Sequence, residues 1–345
     1  MNRQLLDVLC DPDTKEPLRL RDEVTDANGR IVEGYLETPS GRRYPIRGGV
    51  PRFVAPSALT ASVDSFGNEW NRFNFVDFKL NWQQHTVRNT FGSTDAFRGK
   101  VIVDAGGGSG SQTLWMLETG AKHVIMLELS HSVDDVVQRN LSASGYTNYD
   151  VIQCSIDSPP LRGGSIDGIV YCHNVIQHTP SVERTARALF ALVAPGGEFV
   201  FNCYRMIDES DGIVRWFRFH CIYRPLRFVL SHMPFGVILA YSKLMGVLRS
   251  IPVLGAVLEK ASFCVRGDVP CKQEDGVVKR LTRRYRATVL NTFDAFGSHA
   301  FQHHKRDAEI RALIAELQPD GEKIFNVEEY FRRPPPIGCA LRLFR

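Results

Sequence analysis

The stretch Val101-Ile102-Val103-Asp104-Ala105-Gly106-Gly107-Gly108-Ser109-Gly110 constrains this chain more than any other. Three β-branched residues read as a buried strand, which ends in an acid and opens into a turn packed with glycine. An amphipathic stretch follows, with Leu114, Met116 and Leu117 among polar residues, so the local order is strand, glycine turn, helix. Such a turn lets a ligand approach bare backbone, and the N–H groups at the helix start attract negative charge. A dinucleotide fingerprint needs G-x-G-x-x-G, whose last glycine permits close helix–strand packing. Here Gly106, Gly108 and Gly110 give G-x-G-x-G, and Ser111 stands where the third glycine would fall. The spacing argues against a dinucleotide.

A second apolar run, His123 to Leu127, ends at Glu128, about 20 residues past the glycines, where doubly wound folds place an acid on ribose hydroxyls. The plainer alternative is a solvated acid at a strand end. Ser130 reads as a helix N-cap, with Asp134 and Asp135 in the first turn. Tyr149 to Gln153 is the third strand and Ile169 to Tyr171 the core of the fourth. After Cys172-His173-Asn174-Val175-Ile176-Gln177-His178, Thr179 is the expected N-cap and Pro180 the first helical residue. That helix carries Val182, Ala186, Leu189, Phe190 and Val193 on one face and stops at Ala194-Pro195-Gly196-Gly197. Strand five, Glu198 to Cys203, follows.

These elements in this order, over residues 100–204, resemble the class I S-adenosylmethionine-dependent methyltransferases, of the methyltransferase type 11 kind. The matching motifs are Asp104-Ala-Gly106-Gly-Gly108-Ser-Gly110, the run Pro160-Leu161 through Ser165-Ile166-Asp167, and Val175-Ile176-Gln177-His178-Thr179-Pro180 with Ala194-Pro195-Gly196-Gly197. The resemblance implies an α/β fold, a Rossmann-like doubly wound sheet of seven strands, with S-adenosyl-L-methionine as cofactor. It assigns the cofactor to Asp104, Gly106, Gly107, Gly108, Gly110, Glu128, Leu129, Ser155, Ile156 and Asn174. The acid that takes the adenine amino group in the family falls on Ser155, a weaker acceptor than a carboxylate. Asp157 is a substitute two residues on, and Ile156 would flank the ring. A linker over 56–99 contains Phe66-Gly67-Asn68-Glu69-Trp70, similar to a family stretch that helps cover the cofactor. For Trp70 both packing and contact with cofactor or substrate stand.

Residues 1–55 resemble a Trm112-like zinc ribbon, from Leu5-Leu6 and Cys10-Asp11-Pro12-Asp13 to Tyr44-Pro45-Ile46 and Gly49-Val50-Pro51. Carried over, its four metal positions fall on Cys10, Asp13, Glu37 and Ser40. One thiol and three oxygen donors make a poor structural zinc site, so a metal-free ribbon is expected. The eight cysteines are scattered with no C-x-x-C pair, which argues against a disulfide framework. No apolar leader follows Met1, so a cytoplasmic location is expected.

Residues 205–290 form an insert without strand-like alternation, expected as helices broken at Pro234 and Pro252. It holds 15 Lys and Arg against 7 Asp and Glu, with no acid from Gly212 to Leu258. Its apolar runs fall short of the roughly 20 residues that cross a bilayer. Two compatible readings follow: a helical cap over the active site, or peripheral contact with an anionic membrane through 212–258. Residues 291–345 are expected to complete the sheet with a helix from Asp307 to Leu317 and strands Ile324–Tyr330 and Gly338–Phe344. For methyl transfer to oxygen a base must take the hydroxyl proton, and His178, His173 and His303 are candidates, with Tyr204 as an orienting hydroxyl. His178 holds the best family position. The acceptor is expected to be a small molecule, sugar or lipid-linked glycan, not nucleic acid, since the basic residues alternate with apolar helix rather than stacking aromatics. N- or C-methylation, or a silent scaffold, are the alternatives.

Overall fold

Turns at Asn28-Gly29 and Ser40-Gly41 reverse the chain through four short strands: β1 (Arg19–Thr25), β2 (Ile31–Glu37), β3 (Arg43–Arg47) and β4 (Val50–Pro51). They pair antiparallel in sequence order. The computed structural model describes residues 1–54, 61–73, 78–265, 276–297, 299, 301–325 and 340–345. Three helical pieces follow the ribbon: α1 (Ala61–Arg72), α2 (Lys79–Asn81) and α3 (Arg88–Phe91), the last two joined by a π turn over Trp82–Val87.

The doubly wound part then runs β5 (Val101–Ala105), α4 (Ser111–Glu118), β6 (His123–Glu128), α5 (Val136–Ser142), β7 (Tyr149–Gln153), β8 (Ile169–Cys172), α6 (Val182–Phe190), β9 (Glu198–Phe201) and β10 (Tyr204–Arg205). Two local expectations are corrected. The N-cap of α6 is Ser181, whose hydroxyl accepts from the Arg184 N–H, whereas Thr179 donates its own hydroxyl to the Ile176 carbonyl. Strand β9 stops at Phe201 rather than Cys203, because the Asn202 side chain turns to bond the backbone and side chain of Asn174.

Residues 206–300 form a separate compact unit. It is helical: α7 (Ile213–Phe217), α8 (Arg224–Ser231), α9 (Phe235–Arg249), α10 (Pro252–Lys260) and α11 (Val277–Phe296). Pro234 and Pro252 stand at the starts of α9 and α10, as a missing N–H requires. Gly246 lets α9 cross α11 closely, since a Cβ there would lie 2.8 Å from Val289 and 2.9 Å from Tyr285. Helix α11 continues through the expected boundary at residue 290, its apolar row Val289, Leu290, Phe293 and Phe296 being buried.

The chain closes with β11 (His304–Lys305), α12 (Asp307–Leu317), β12 (Gly321–Phe325) and β13 (Ala340–Phe344). Strand β12 begins three residues before the expected Ile324, and residues 326–339 of the expected closing strands lie outside the described residues. The main sheet has the order β12-β13-β9-β8-β5-β6-β7, parallel except for β13, and β10 pairs with β11 in a small separate ladder. Alternation along each strand sorts the core into two layers. Val103, Ala105, Val170, Cys172, Phe199 and Phe201 face α6, α12 and the ribbon, while Ile102, Ile169, Tyr171 and Val200 face α4, α5 and Trp82.

Ribbon and sheet share the first layer: Met1, Leu5, Leu9, Leu36 and Ile46 are buried in it. Backbone bonds stitch the seam, from Cys10 N–H to Pro160, Arg162 N–H to Val8 and Phe53 N–H to Gln153 at 2.8–3.0 Å. Within the ribbon the metal-family positions are engaged otherwise. Asp13 pairs with Arg42, Glu37 with Arg21 and Arg43, and Ser40 donates to Glu16. Cys10 is buried beside Asp11, a sealed carboxylate that accepts from the N–H groups of Asp13 and Thr14 and from the Tyr44 hydroxyl. Burial pushes the Asp11 pKa up, but those three donors outweigh it and leave it below the ordinary value. Asp11→Ala should therefore destabilise the protein by about 1–3 kcal/mol, because it orphans buried donors. Asp13→Ala, at an exposed pair, should cost under about 1 kcal/mol. With a depressed folded pKa, the Asp11 contribution is full above the carboxylate range and lost as pH falls through that pKa. Urea titrations of both variants at neutral and acid pH read the difference.

Candidate active site

Strand order places the site. From β5 the chain winds outward through β6 and β7, then returns to the other side of β5 as β8. The crevice beyond the carboxyl ends of β5 and β8 is the switch point where open α/β sheets bind ligands. The glycine turn leaves β5 on one side, and His173 to His178 leave β8 on the other.

Both walls press on the glycines. A Cβ on Gly106 would lie 2.5 Å from Val175 of the β8 loop, and one on Gly108 would lie 3.0 Å from the Trp70 ring. Their φ angles of 83° and 58° are themselves in the left-handed region that favours glycine. Beneath the turn, Glu128 is buried and accepts from the N–H of Gly108 and of Ser130, both at 2.8 Å. The Ser130 side chain and the Leu129 backbone also act on this carboxylate as hydrogen-bonding groups. Burial raises its pKa despite those bonds. Leu129 follows on the same loop, and its carbonyl accepts from Gln153 at 3.2 Å.

Asp104 lies on the sheet layer that faces α4, where the Thr113 hydroxyl donates to it at 2.6 Å. Burial pushes its pKa up to about 6; the Thr113 bond opposes this and the nearby Glu128 charge adds to it. Ser155 accepts from the Asp157 N–H at 3.3 Å, and Ile156 beside it is buried. Asp157 accepts from the Thr185 hydroxyl at the start of α6. Asn174 has a φ of 59° and exchanges hydrogen bonds with Asn202, which fixes the loop after β8.

The proton-transfer candidates divide. His178 and Tyr204 meet edge to face with ring centres 5.6 Å apart, and Phe66 packs edge-on to His178 at 5.4 Å. His178 Nδ1 lies 3.0 Å from the Phe301 carbonyl, so Nδ1 carries the proton in the neutral ring, and Nε2 is sealed from water. His303 Nε2 is instead directed at the Thr179 carbonyl at 3.0 Å, with its ring stacked on Phe301. It fastens the two loops that carry His178 and Phe301. His173 stacks on Tyr171, its Nδ1 sealed from water, and burial lowers its pKa to about 4. That leaves it a weak base.

Helix α1 is the element whose role the spacing left open. Phe66 and Trp70, four residues apart on one face, reach His178 and Gly108 respectively. Thr113, Ser132 and Asn140 complete the turn's support, the last two donating to the Gly108 and Ser109 carbonyls. Only Thr113, one helical turn past the glycines on the strand-facing side, carried a sequence signal.

The family described as methyltransferase domain matches residues 103–201. A ubiquinone biosynthesis O-methyltransferase of Erwinia tasmaniensis is 25% identical over 164 residues, covering 48% of this chain and 63% of that protein. The alignment thus spans less than two thirds of that relative. An S-adenosylmethionine-dependent methyltransferase from Mesorhizobium loti is 28% identical, covering 32% of this chain and 48% of its own, with a TM-score of 0.29. The YcgJ protein of Bacillus subtilis is 19% identical, with 35% and 53% covered and a TM-score of 0.30.

A raised carboxyl pKa in the fold favours the protonated form, so Asp104 contributes stability below its unfolded value of 3.8 that is lost as pH rises to about 6. Asp104→Asn removes that dependence while keeping an acceptor for Thr113. The difference in melting temperature, variant minus native, should grow from pH 4 to pH 6 and then level off. A difference constant across that range in thermal melts would contradict the buried-acid assignment.

Proposed function

We propose that this chain, which carries a class I S-adenosylmethionine-dependent methyltransferase domain, transfers a methyl group to an oxygen of a small-molecule, sugar or glycolipid acceptor. One observation carries the reading: the glycine turn lies at the switch crevice with the acid Glu128 bonded beneath it and the Trp70 ring across it. Bare Cα atoms let Val175 and Trp70 close on the turn from both sides, which brings both walls of the crevice up to its backbone. In this reading the turn from Gly106 to Gly110 and Leu129 hold the methionine and ribose parts, with Asp104 bracing the turn. Glu128 takes the ribose hydroxyls, and Ser155 and Ile156 take the adenine. Asn174 closes the crevice from the β8 side.

When bound, S-adenosylmethionine supplies an electrophilic methyl group on a sulfonium, ready for in-line displacement. The chain's own work is alignment, exclusion of water and removal of one proton. His178 Nε2 takes the acceptor's hydroxyl proton, with Nδ1 held by the Phe301 carbonyl so that the ring keeps one tautomer. Tyr204 orients the hydroxyl, and Phe66 and Trp70 exclude water. The name of the Erwinia tasmaniensis relative supports oxygen as the acceptor atom. His173, with its lowered pKa, serves the packing of Tyr171 in this reading.

Calorimetric titration with S-adenosylmethionine tests the cofactor half, and incubation with labelled cofactor and cell extract, followed by mass spectrometry, tests the acceptor half. Glu128→Gln should weaken cofactor binding by about tenfold or more, the loss of a charge-assisted bond. His178→Ala should leave cofactor affinity nearly unchanged and lower kcat by about 10²–10⁴-fold. Failure to bind the cofactor would overturn the proposal. Tight binding with no label transferred to any extract would point to the scaffold alternative.

A further inference from the structure

Apolar side chains that the fold leaves in water collect on the helical unit. Among the described residues, 17 of the 21 exposed large hydrophobics lie between Ile213 and Leu281. On α9 they form an ordered row. Val237, Leu244, Val247 and Ile251 at its end are 47–56% exposed, and Ala240 lies among them. Steps of three and four residues put all five on one stripe. The opposite face, Ile238, Ser242, Met245 and Gly246, is the one buried within the unit. Helix α10 continues the exposed row with Val253, Leu254 and Val257.

Charge selects what such a surface meets. Lys243 is exposed at the flank of the stripe, Arg224 and Lys260 are exposed on α8 and α10, and no acid occurs from Gly212 to Leu258. No helix among the described residues is long and apolar enough to cross a membrane. A second copy of the chain would match the apolar stripe but would bring like charges against Lys243. An anionic bilayer matches both the stripe and the cations, since apolar side chains enter the acyl boundary while Lys and Arg remain at the headgroup phosphates.

We propose that the α9–α10 stripe seats the helical unit in the interfacial plane of an anionic lipid surface. The inference stands on the helical unit alone, so it can fail without touching the methyl-transfer reading, and cofactor titration of the same variants keeps the two apart. The test is co-sedimentation of the full chain with vesicles of phosphatidylcholine alone and of equal parts phosphatidylcholine and phosphatidylglycerol. Binding is expected to the mixed vesicles, with much less to the neutral ones, and should weaken as salt is raised. The double variant Leu244→Glu with Val247→Glu should bind the mixed vesicles about tenfold or more weakly, as acids replace the seated side chains. Val24→Glu, the same chemistry at an exposed strand position of the other unit, should bind as the native chain does. An unchanged far-ultraviolet circular dichroism spectrum and melting profile in the double variant certify the fold of its helical unit; if that fold is lost, Lys243→Glu, at an exposed flank position, must show the same weakening. No sedimentation with either vesicle, equal binding by the stripe variant, or a stripe-dependent dimer in light scattering would each overturn the proposal.

Discussion

The close approach of three side chains to three bare Cα atoms is the constraint on which the rest of the site depends. Val175 from the loop after β8, Met126 from β6 and Trp70 from α1 rest against Gly106, Gly107 and Gly108 respectively. A Cβ at any of these positions would meet its neighbour at 3.0 Å or less. The turn is thus the point where three elements are brought into register, not merely a flexible link between β5 and α4. Val175 fixes how near the β8 loop comes, and with it His178. Trp70 fixes α1, and Phe66 on the same helix face fixes the His178 ring from the other side.

A comparable logic holds the N-terminal ribbon. Strands this short bury too little to stand alone, and two features tie them down. One is the shared core layer, in which ribbon residues from Met1 to Ile46 pack with residues of the main sheet. The other is Asp11, whose two oxygens gather the N–H groups of the following turn and the Tyr44 hydroxyl of β3. A buried carboxylate with three donors ties the turn to the strand much as a ligand to a shared ion would. The seam to the main sheet is likewise polar and directional, with the sealed Asp150 accepting from the Asn2 N–H at 2.6 Å and lying 2.9 Å from His123 Nε2.

Much of this was legible because it is local. The order of strands and helices from Val101 to Phe201 follows from apolar runs, glycines and prolines, and the switch point follows from that order. What failed to read was contingent on partners distant in sequence. Thr179 and Ser181 are both good caps, and the choice between them was settled by the Ile176 carbonyl, which takes the Thr179 hydroxyl. His303 and His178 are both candidate bases in the sequence, with His178 at the better family position. The Thr179 carbonyl turns one ring inward, while the Phe301 carbonyl holds the proton of the other on Nδ1. The boundary near residue 290 was invisible because α11 keeps its helical spacing straight through it. Asp157, two residues past Ser155, accepts the Thr185 hydroxyl from 28 residues on, a contact that sequence spacing gives no sign of.

Glu128 shows why a sequence signal for ligand binding and a structural requirement can be one residue. The turn's left-handed glycines aim the Gly108 N–H downward, and the loop after β6 does the same with Ser130. Buried N–H groups need acceptors, and no backbone carbonyl can reach both from one side. A carboxylate with two oxygens on a single strand end meets that need, one oxygen for each N–H. The acid is therefore required by the turn before any ligand arrives. An isosteric amide does not separate that need from a ligand's. Gln can still accept one of the N–H bonds but sets its own donors against the other, so the turn feels the substitution as well as the ligand. Stability and affinity must be read together at this position, because the same two oxygens serve both.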